Sequence, residues 1–327
     1  MAALSQINRQ GLRVVGRGAA AAIASLVVVF VSSDAVHFDT ASMVDSPSPL
    51  PREWRLVGGK YWQLVAPDAG DVAVIDAEEG TRGECPRGML EVRGQMKLDG
   101  PSGAVEDLQR QACSVWINRS FPERCGVFDA ERWRSLSRDL RTRPMHFCVD
   151  RFEYPNQKGN YPGIMVTWHE AAALCEERGE RLCTEDEWTF ACEGEEALPF
   201  ATGYVRDATV CVVDRPWRLV HEQALATRTS PRALREVDDL WQGEASGAYT
   251  RCRSPFGVYD MIGNVDEWTR STQKSGLRSI LKGGYWGPVR TWCRATTRVH
   301  DEDFYFYQIG FRCCANAPSD PDAEAPK

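Results

Sequence analysis

What this chain lacks narrows its chemistry before anything else does. Its twelve cysteines include no C-x-x-C pair and its five histidines no H-x-x-x-H, which removes the usual zinc-site spacings. His37, His146, His169, His221 and His300 are scattered, without the 2-His-1-carboxylate grouping that holds non-haem iron. No nucleophile-elbow motif supports Ser/His/Asp catalysis. No basic cluster follows residue 17 and the net charge is -7, so nucleic acid is excluded as a partner. The apolar run at 19–31 is about 13 residues long, short of the roughly 20 that a helix needs to cross a bilayer.

What precedes that run gives it a meaning. Arg9, Arg13 and Arg17 stand in an acid-free stretch, and the small residues Ser32, Ser33 and Ala35 follow the apolar segment. Residues 1–35 therefore read as a Sec-type signal peptide, with an uncleaved anchor through 19–31 as the alternative. The expected location is periplasmic or secreted, and the membrane enters only through that anchor. Twelve cysteines suit such an oxidising compartment. Residues 36–82 read as a linker with weak local structure: Ser46-Pro47-Ser48-Pro49-Leu50-Pro51 favours an extended chain, and two apolar patches flank Gly58-Gly59 as a hairpin would. The tail at 316–327, rich in Pro, Ala, Asp and Glu, is disordered by composition. The organised body is left at 83–315.

Two helices stand out within the body. Thr167-Trp168-His169-Glu170 and Thr184-Glu185-Asp186-Glu187 both carry a capping-box pattern, in which hydroxyl and carboxylate satisfy each other's backbone amides. Trp168, Ala171, Ala172 and Cys175 then share one face before Gly179, and Trp188, Ala191 and Cys192 share one before Gly194. Each helix turns a tryptophan and a cysteine inward. Residues 101–147, with Cys113, Cys125 and two weakly helical stretches, read as an insertion.

Five segments in order carry a resemblance that local patterns do not. They are Phe147-Cys148-Val149-Asp150-Arg151-Phe152-Glu153, the helix pair from Val166 to Trp188, Phe256-Gly257-Val258-Tyr259-Asp260-Met261-Ile262-Gly263-Asn264-Val265-Asp266-Glu267-Trp268, Lys282-Gly283-Gly284, and Ile309-Gly310-Phe311-Arg312-Cys313. Together with Cys85-Pro86-Arg87-Gly88-Met89 they resemble the formylglycine-generating enzyme, or sulfatase-modifying factor, domain. The resemblance implies an α+β, C-type-lectin-like fold, rich in loops and held by disulfides and calcium. It implies bridges from Cys175 to Cys313, with Cys314 as a rival, and from Cys192 to Cys293. It implies a Ca²⁺ site at Asp260, Gly263, Val265 and Glu267, since this hard cation takes carboxylate and carbonyl oxygens. A second calcium site would fall near Asp214, although Val212 stands where an oxygen is wanted.

Active members of that family hold Cu(I) with two cysteines five residues apart after the Gly-Gly motif, and a thiolate pair is what selects that ion. Here the stretch offers Pro288 and a lone Cys293. Cys293 is either one remaining copper ligand or the structural partner of Cys192. Copper is not expected. His300, beside Asp301 and Glu302, is the other candidate for a catalytic or proton-carrying role. The run Phe304-Tyr305-Phe306-Tyr307 reads as core or as an aromatic groove for an extended peptide, a protein or a glycan. The expected function is a binding or accessory module without copper-dependent cysteine oxidation, or one with divergent chemistry; the alternative is a formylglycine-generating oxidoreductase acting on a sulfatase cysteine.

Overall fold

The computed structural model describes residues 52–65 and 85–317, apart from 102 and 275, and all of these belong to one compact unit, Pro49–Lys327. The expected signal or anchor at 1–35, the proline-rich stretch at 46–51 and the tail beyond 317 lie outside the described residues.

The chain enters through a hairpin of β1 (Trp54–Val57) and β2 (Tyr61–Leu64), reversing at Gly58-Gly59, whose φ values of 57° and 72° suit glycine. The hairpin expected around Gly58-Gly59 thus forms, and at 52–65 it replaces the weak local structure of the expected linker; the rest of 36–82 lies outside the described residues. Tyr61, Trp62 and Leu64 are buried, and Trp62 exchanges two backbone hydrogen bonds with Ile164, at 3.0 and 2.8 Å. Burying side chains of this size is worth roughly 1.5–3 kcal/mol each, enough to tie the hairpin to the body.

β3 (Met89–Lys97) leads into α1 (Val105–Ala112), β4 (Cys113–Asn118), β5 (Arg124–Phe128) and α2 (Ala130–Ser137), then returns as β6 (Thr142–Asp150). β3 and β6 pair antiparallel along their whole length, Met89 opposite Asp150 and Lys97 opposite Thr142. The inserted structure therefore ends before residue 142, and the expected boundary at 147 runs too far into a ladder. Downstream come α3 (Trp168–Glu176), β7 (Arg181–Leu182), α4 (Glu185–Glu193), α5 (Glu222–Leu225), α6 (Pro231–Leu240), β8 (Asp266–Arg270), β9 (Ser279–Lys282), β10 (Thr296–Thr297), β11 (Ile309–Phe311) and β12 (Cys313–Asn316). One four-stranded sheet runs β3-β6-β12-β7 and another β10-β9-β8-β11, with β8 and β11 parallel. The α+β architecture is thus short elements joined by long ordered loops. No described helix is long and apolar enough to cross a membrane.

Both capping boxes form: Thr167 Oγ1 accepts from the Glu170 amide at 3.2 Å, and Thr184 Oγ1 from the Glu187 amide at the same distance. Trp168, Cys175, Trp188 and Cys192 are buried, while Ala172 is only half-buried. Cross-links take the place of long ladders. All twelve cysteines of the chain are paired: Cys85–Cys148, Cys113–Cys125, Cys175–Cys313, Cys183–Cys314, Cys192–Cys293 and Cys211–Cys252. Cys313 and Cys314 are neighbours in β12, and because successive side chains of a strand point to opposite faces they reach different partners. Asn316, expected to open the disordered tail, closes β12 instead and accepts from Arg181. Six disulfides imply an oxidising compartment.

Candidate functional site

The segment after β9 is built around two glycines. At Gly284, φ is 68° and a Cβ would sit 2.6 Å from the Arg290 carbonyl oxygen, so only glycine permits this turn. The chain then passes Tyr285 and Trp286 and returns to Cys293, which is fully buried and bonded to Cys192 of α4 at 2.01 Å. Cys293 therefore has no thiol to offer, and its reading as a catalytic or copper-binding residue is corrected. The same segment lies under the inserted elements. The Trp292 ring faces Phe128 of β5 at 5.6 Å and the Arg110 guanidinium of α1 at 5.8 Å, and Arg290 pairs with Glu106 at 3.3 Å.

Beside it runs a buried charge network that sequence patterns missed. Lys282 Nζ donates to the Arg294 carbonyl at 3.3 Å and to Thr296 Oγ1 at 3.1 Å, and burial pushes its pKa down to about 8. Arg294 grips Glu193 with two bonds of 2.7 and 2.6 Å. The only sequence signal was the lysine directly before the Gly-Gly pair.

The loop from Asp260 to Glu267 carries the four expected calcium residues and meets one further acid, Glu153. Asp260 (φ 56°) accepts from the Gly247 amide at 2.7 Å. Glu267 is gripped on both oxygens by Arg312, at 2.6 Å each, and also accepts from Trp188 Nε1 at 2.7 Å. Glu153 accepts from Ser246 Oγ at 2.7 Å and from Asn264 Nδ2 at 2.8 Å. Gly263 is pressed so closely against the Val212 carbonyl that a Cβ would lie 2.2 Å from it, and Val265 is buried. Three buried carboxylates thus share one buried guanidinium. Burial, together with the neighbouring Glu267 charge, pushes Asp260 up to about 7 despite the Gly247 amide and Arg312, and burial beside Asp260 and Glu267 pushes Glu153 well above the carboxylate range. Glu153 and Arg312 were within the motifs, but nothing local marks them as partners.

Asp214, near the doubtful second calcium position, presents the opposite balance. Its carboxylate accepts from Arg206 at 2.6 and 3.0 Å and from Arg124 at 2.9 Å. Burial alone would raise its pKa, but the two arginines outweigh burial and hold it below the usual value. Two protein cations already fill that role.

His300 lies on a different part of the surface chemistry. Its ring stacks on Phe304 at 3.9 Å with an interplanar angle of 11°, and the aromatic series continues through Phe306 to Tyr307 at 5.8 and 4.9 Å. Burial lowers its pKa, against Asp301. Phe304 packs on the core of α3, β8 and β11, whereas Cys293 belongs to the core of α4 and the insertion. The two candidate catalytic residues therefore do not share one cluster.

A family model described as the sulfatase-modifying factor enzyme 1-like domain matches residues 120–317, more than half of the chain. The chain belongs to this family. Its similarity to the bovine (Bos taurus) protein named inactive C-alpha-formylglycine-generating enzyme 2 is 28% identity over 176 residues, covering 50% of this chain and 54% of that one. With the mouse (Mus musculus) formylglycine-generating enzyme it shares 25% over 193 residues, covering 49% and 45%. The chain thus spans about half the length of the curated relatives it matches. Among solved structures, PvdO from Pseudomonas aeruginosa is similar with a TM-score of 0.42 and 14% identity, over 70% of this chain and 94% of that one. The Asp260–Glu267 loop and the Gly-Gly segment of this domain adjoin, tied by the Gly263 amide to the Gly283 carbonyl at 3.2 Å and the Trp286 amide to the Asn264 carbonyl at 3.1 Å.

Proposed function

We propose that this chain is an exported binding or accessory domain of the sulfatase-modifying factor family that has given up copper-dependent cysteine oxidation. The observation that carries the reading is the pairing of all twelve cysteines, with Cys293 committed to Cys192. Thiolates bind Cu(I); disulfide sulfur does not replace them. A formylglycine-generating reaction would need Cys293 free and a second thiol beside it. The name of the bovine relative, which calls that protein inactive, is in keeping with such a loss. The ligand surface we favour is the aromatic series from His300 to Tyr307, which suits an extended peptide or a glycan, with His300 at its rim. The six disulfides support a periplasmic or secreted location, or the outer face of a membrane if residues 19–31 stay attached.

Calcium fits the charge balance of the loop better than copper fits the sulfur. Three carboxylates face one guanidinium, so Asp260 and the carbonyl oxygens of Gly263 and Val265 would hold the ion, with Glu267 shared between it and Arg312. The ion would supply positive charge to a buried turn and no reaction step.

The test is anaerobic titration of the purified chain with Cu(I), followed by exposure of a C-x-P-x-R peptide to it in air. The expected result is no stoichiometric thiolate-coordinated copper and an unmodified peptide by mass spectrometry. One equivalent of thiolate-bound copper with conversion of the peptide cysteine would reinstate the oxidoreductase.

A further inference from the structure

A further cleft borders the Asp260–Glu267 loop, where the Glu244 amide donates to Asn264 Oδ1 at 2.9 Å and Trp241 packs edge-on against Trp286 at 4.7 Å. Where the N-terminal hairpin meets the end of α6 there is a cavity of about 350 Å³, lined by Arg52, Arg215 and Arg218 and by the rings of Tyr161 and Trp241. That volume is within the range of small-ligand sites. Arg215 and Arg218 share one loop and Arg52 comes from far earlier in the chain, so no basic run announces the three.

Two of the guanidinium groups are fixed by the open end of α6. Arg218 Nη1 donates to the carbonyls of Asp239 and Trp241, and Arg52 Nη1 donates to the Trp241 carbonyl at 3.2 Å. Carbonyls left without intrahelical partners at a helix end are natural acceptors for arginine. These bonds hold the groups in place while using only part of a fork with five N–H donors. Arg52 is paired with Asp238, and Arg215 reaches Glu244 at 3.3 Å. Arg218 bonds only carbonyl oxygens among the described residues. Three guanidinium groups against two carboxylates leave positive charge in this one cleft of a chain whose net charge is -7.

The loop that carries Arg215 and Arg218 also leaves Trp217 63% and Leu219 74% exposed. An indole in water between two arginines has an energetic cost that a ligand face would offset. The remaining lining is Leu64, Gln242, Gly243 and Glu244, and all but Leu64 offer hydrogen-bonding groups.

We infer that this cleft binds an acidic saccharide, with a sulfate or carboxylate held between the Arg215 and Arg218 forks and a sugar ring against Trp217, exposed on the loop beside the cleft. Planar guanidinium forks match sulfate and carboxylate oxygens in pairs. Aromatic faces suit the C–H face of a sugar, and the polar rim suits its hydroxyls. An acidic peptide shares the charge but not the hydroxyls, so the rim favours the sugar. The inference does not depend on the copper question, and either can fail alone.

Isothermal titration of the full chain with a heparin tetrasaccharide tests it, with cellotetraose, inorganic sulfate and a poly-glutamate peptide as comparison probes. Saturable binding of the heparin fragment that weakens with salt is expected. Arg218→Gln should weaken it by roughly tenfold, the scale of one lost charge-assisted hydrogen bond. Trp217→Ala should weaken the saccharide while leaving the response to inorganic sulfate unchanged. Both side chains are exposed, and near-UV circular dichroism confirms that the variants are folded. The inference is overturned by an absent signal with the tetrasaccharide, by equal affinity for cellotetraose or inorganic sulfate, by tighter binding of the peptide, or by an Arg218→Gln variant that binds like the wild type.

Discussion

The two acidic loops, Asp260–Glu267 and the one bearing Asp214, solve the same problem with opposite charge balances. Each places an aspartate with positive φ against a tight backbone turn, at 56° for Asp260 and 57° for Asp214. Around Asp214 the protein supplies two arginines to one carboxylate. Around Asp260 it supplies one arginine to three carboxylates. The first loop is neutralised from within; the second is left with negative charge that only protons or a bound cation can relieve. The difference teaches where to look for a structural ion: not at the count of acids, but at the acids that the arginines leave over.

Removing the cation from each loop is the largest test of that contrast. Arg312→Met strands Glu267, Glu153 and Asp260, all buried, and should destabilise by about 3–5 kcal/mol in urea unfolding, as for a broken buried ion pair. Arg206→Met leaves Asp214 still bonded to Arg124 and partly exposed, so the loss should be nearer 1–2 kcal/mol. Equal losses at both loops would remove the distinction.

The pH dependence sharpens it, with a smaller effect. Asp260, raised to about 7, and Glu153, raised by burial, bind protons more tightly folded than unfolded. Their contribution is fully present below the usual carboxylate pKa and is lost as pH rises through about 7. Asp214 has the reverse sign: its folded pKa is depressed, so its contribution is present above the unfolded value and disappears as acid is added. Unfolding free energy should therefore fall between pH 5 and pH 8, and millimolar calcium should flatten that fall if the ion sits at Asp260. Superimposable curves with calcium and with chelator would remove the ion from the account.

Much of the scaffold was readable from sequence because its signals are local. The capping boxes at Thr167 and Thr184 repeat within a few residues, and burial of Trp168 and Trp188 follows from helical spacing. The Gly-Gly turn was readable as a motif. What stayed hidden was set by contacts across the chain. Glu153 meets Asn264 and Arg312 meets Glu267 from separate elements, and no periodicity encodes such pairs. The turn at Gly58-Gly59 was readable, but not the docking of β2 on the body, because a four-residue strand is too short a pattern to show that Trp62 pairs with Ile164. The overlong insertion failed for a related reason: 142–147 join a strand whose partner lies before the inserted elements. The arginine cleft combines both difficulties, since its charges converge only after folding.

The loss of copper chemistry turns on sulfur more than on any ion. Non-reducing peptide mapping by mass spectrometry, with rapid alkylation of free thiols, measures it directly. A Cys192–Cys293 linked peptide with no alkylated cysteine anywhere in the chain is the predicted result. An alkylated Cys293 together with a second alkylated cysteine would contradict it.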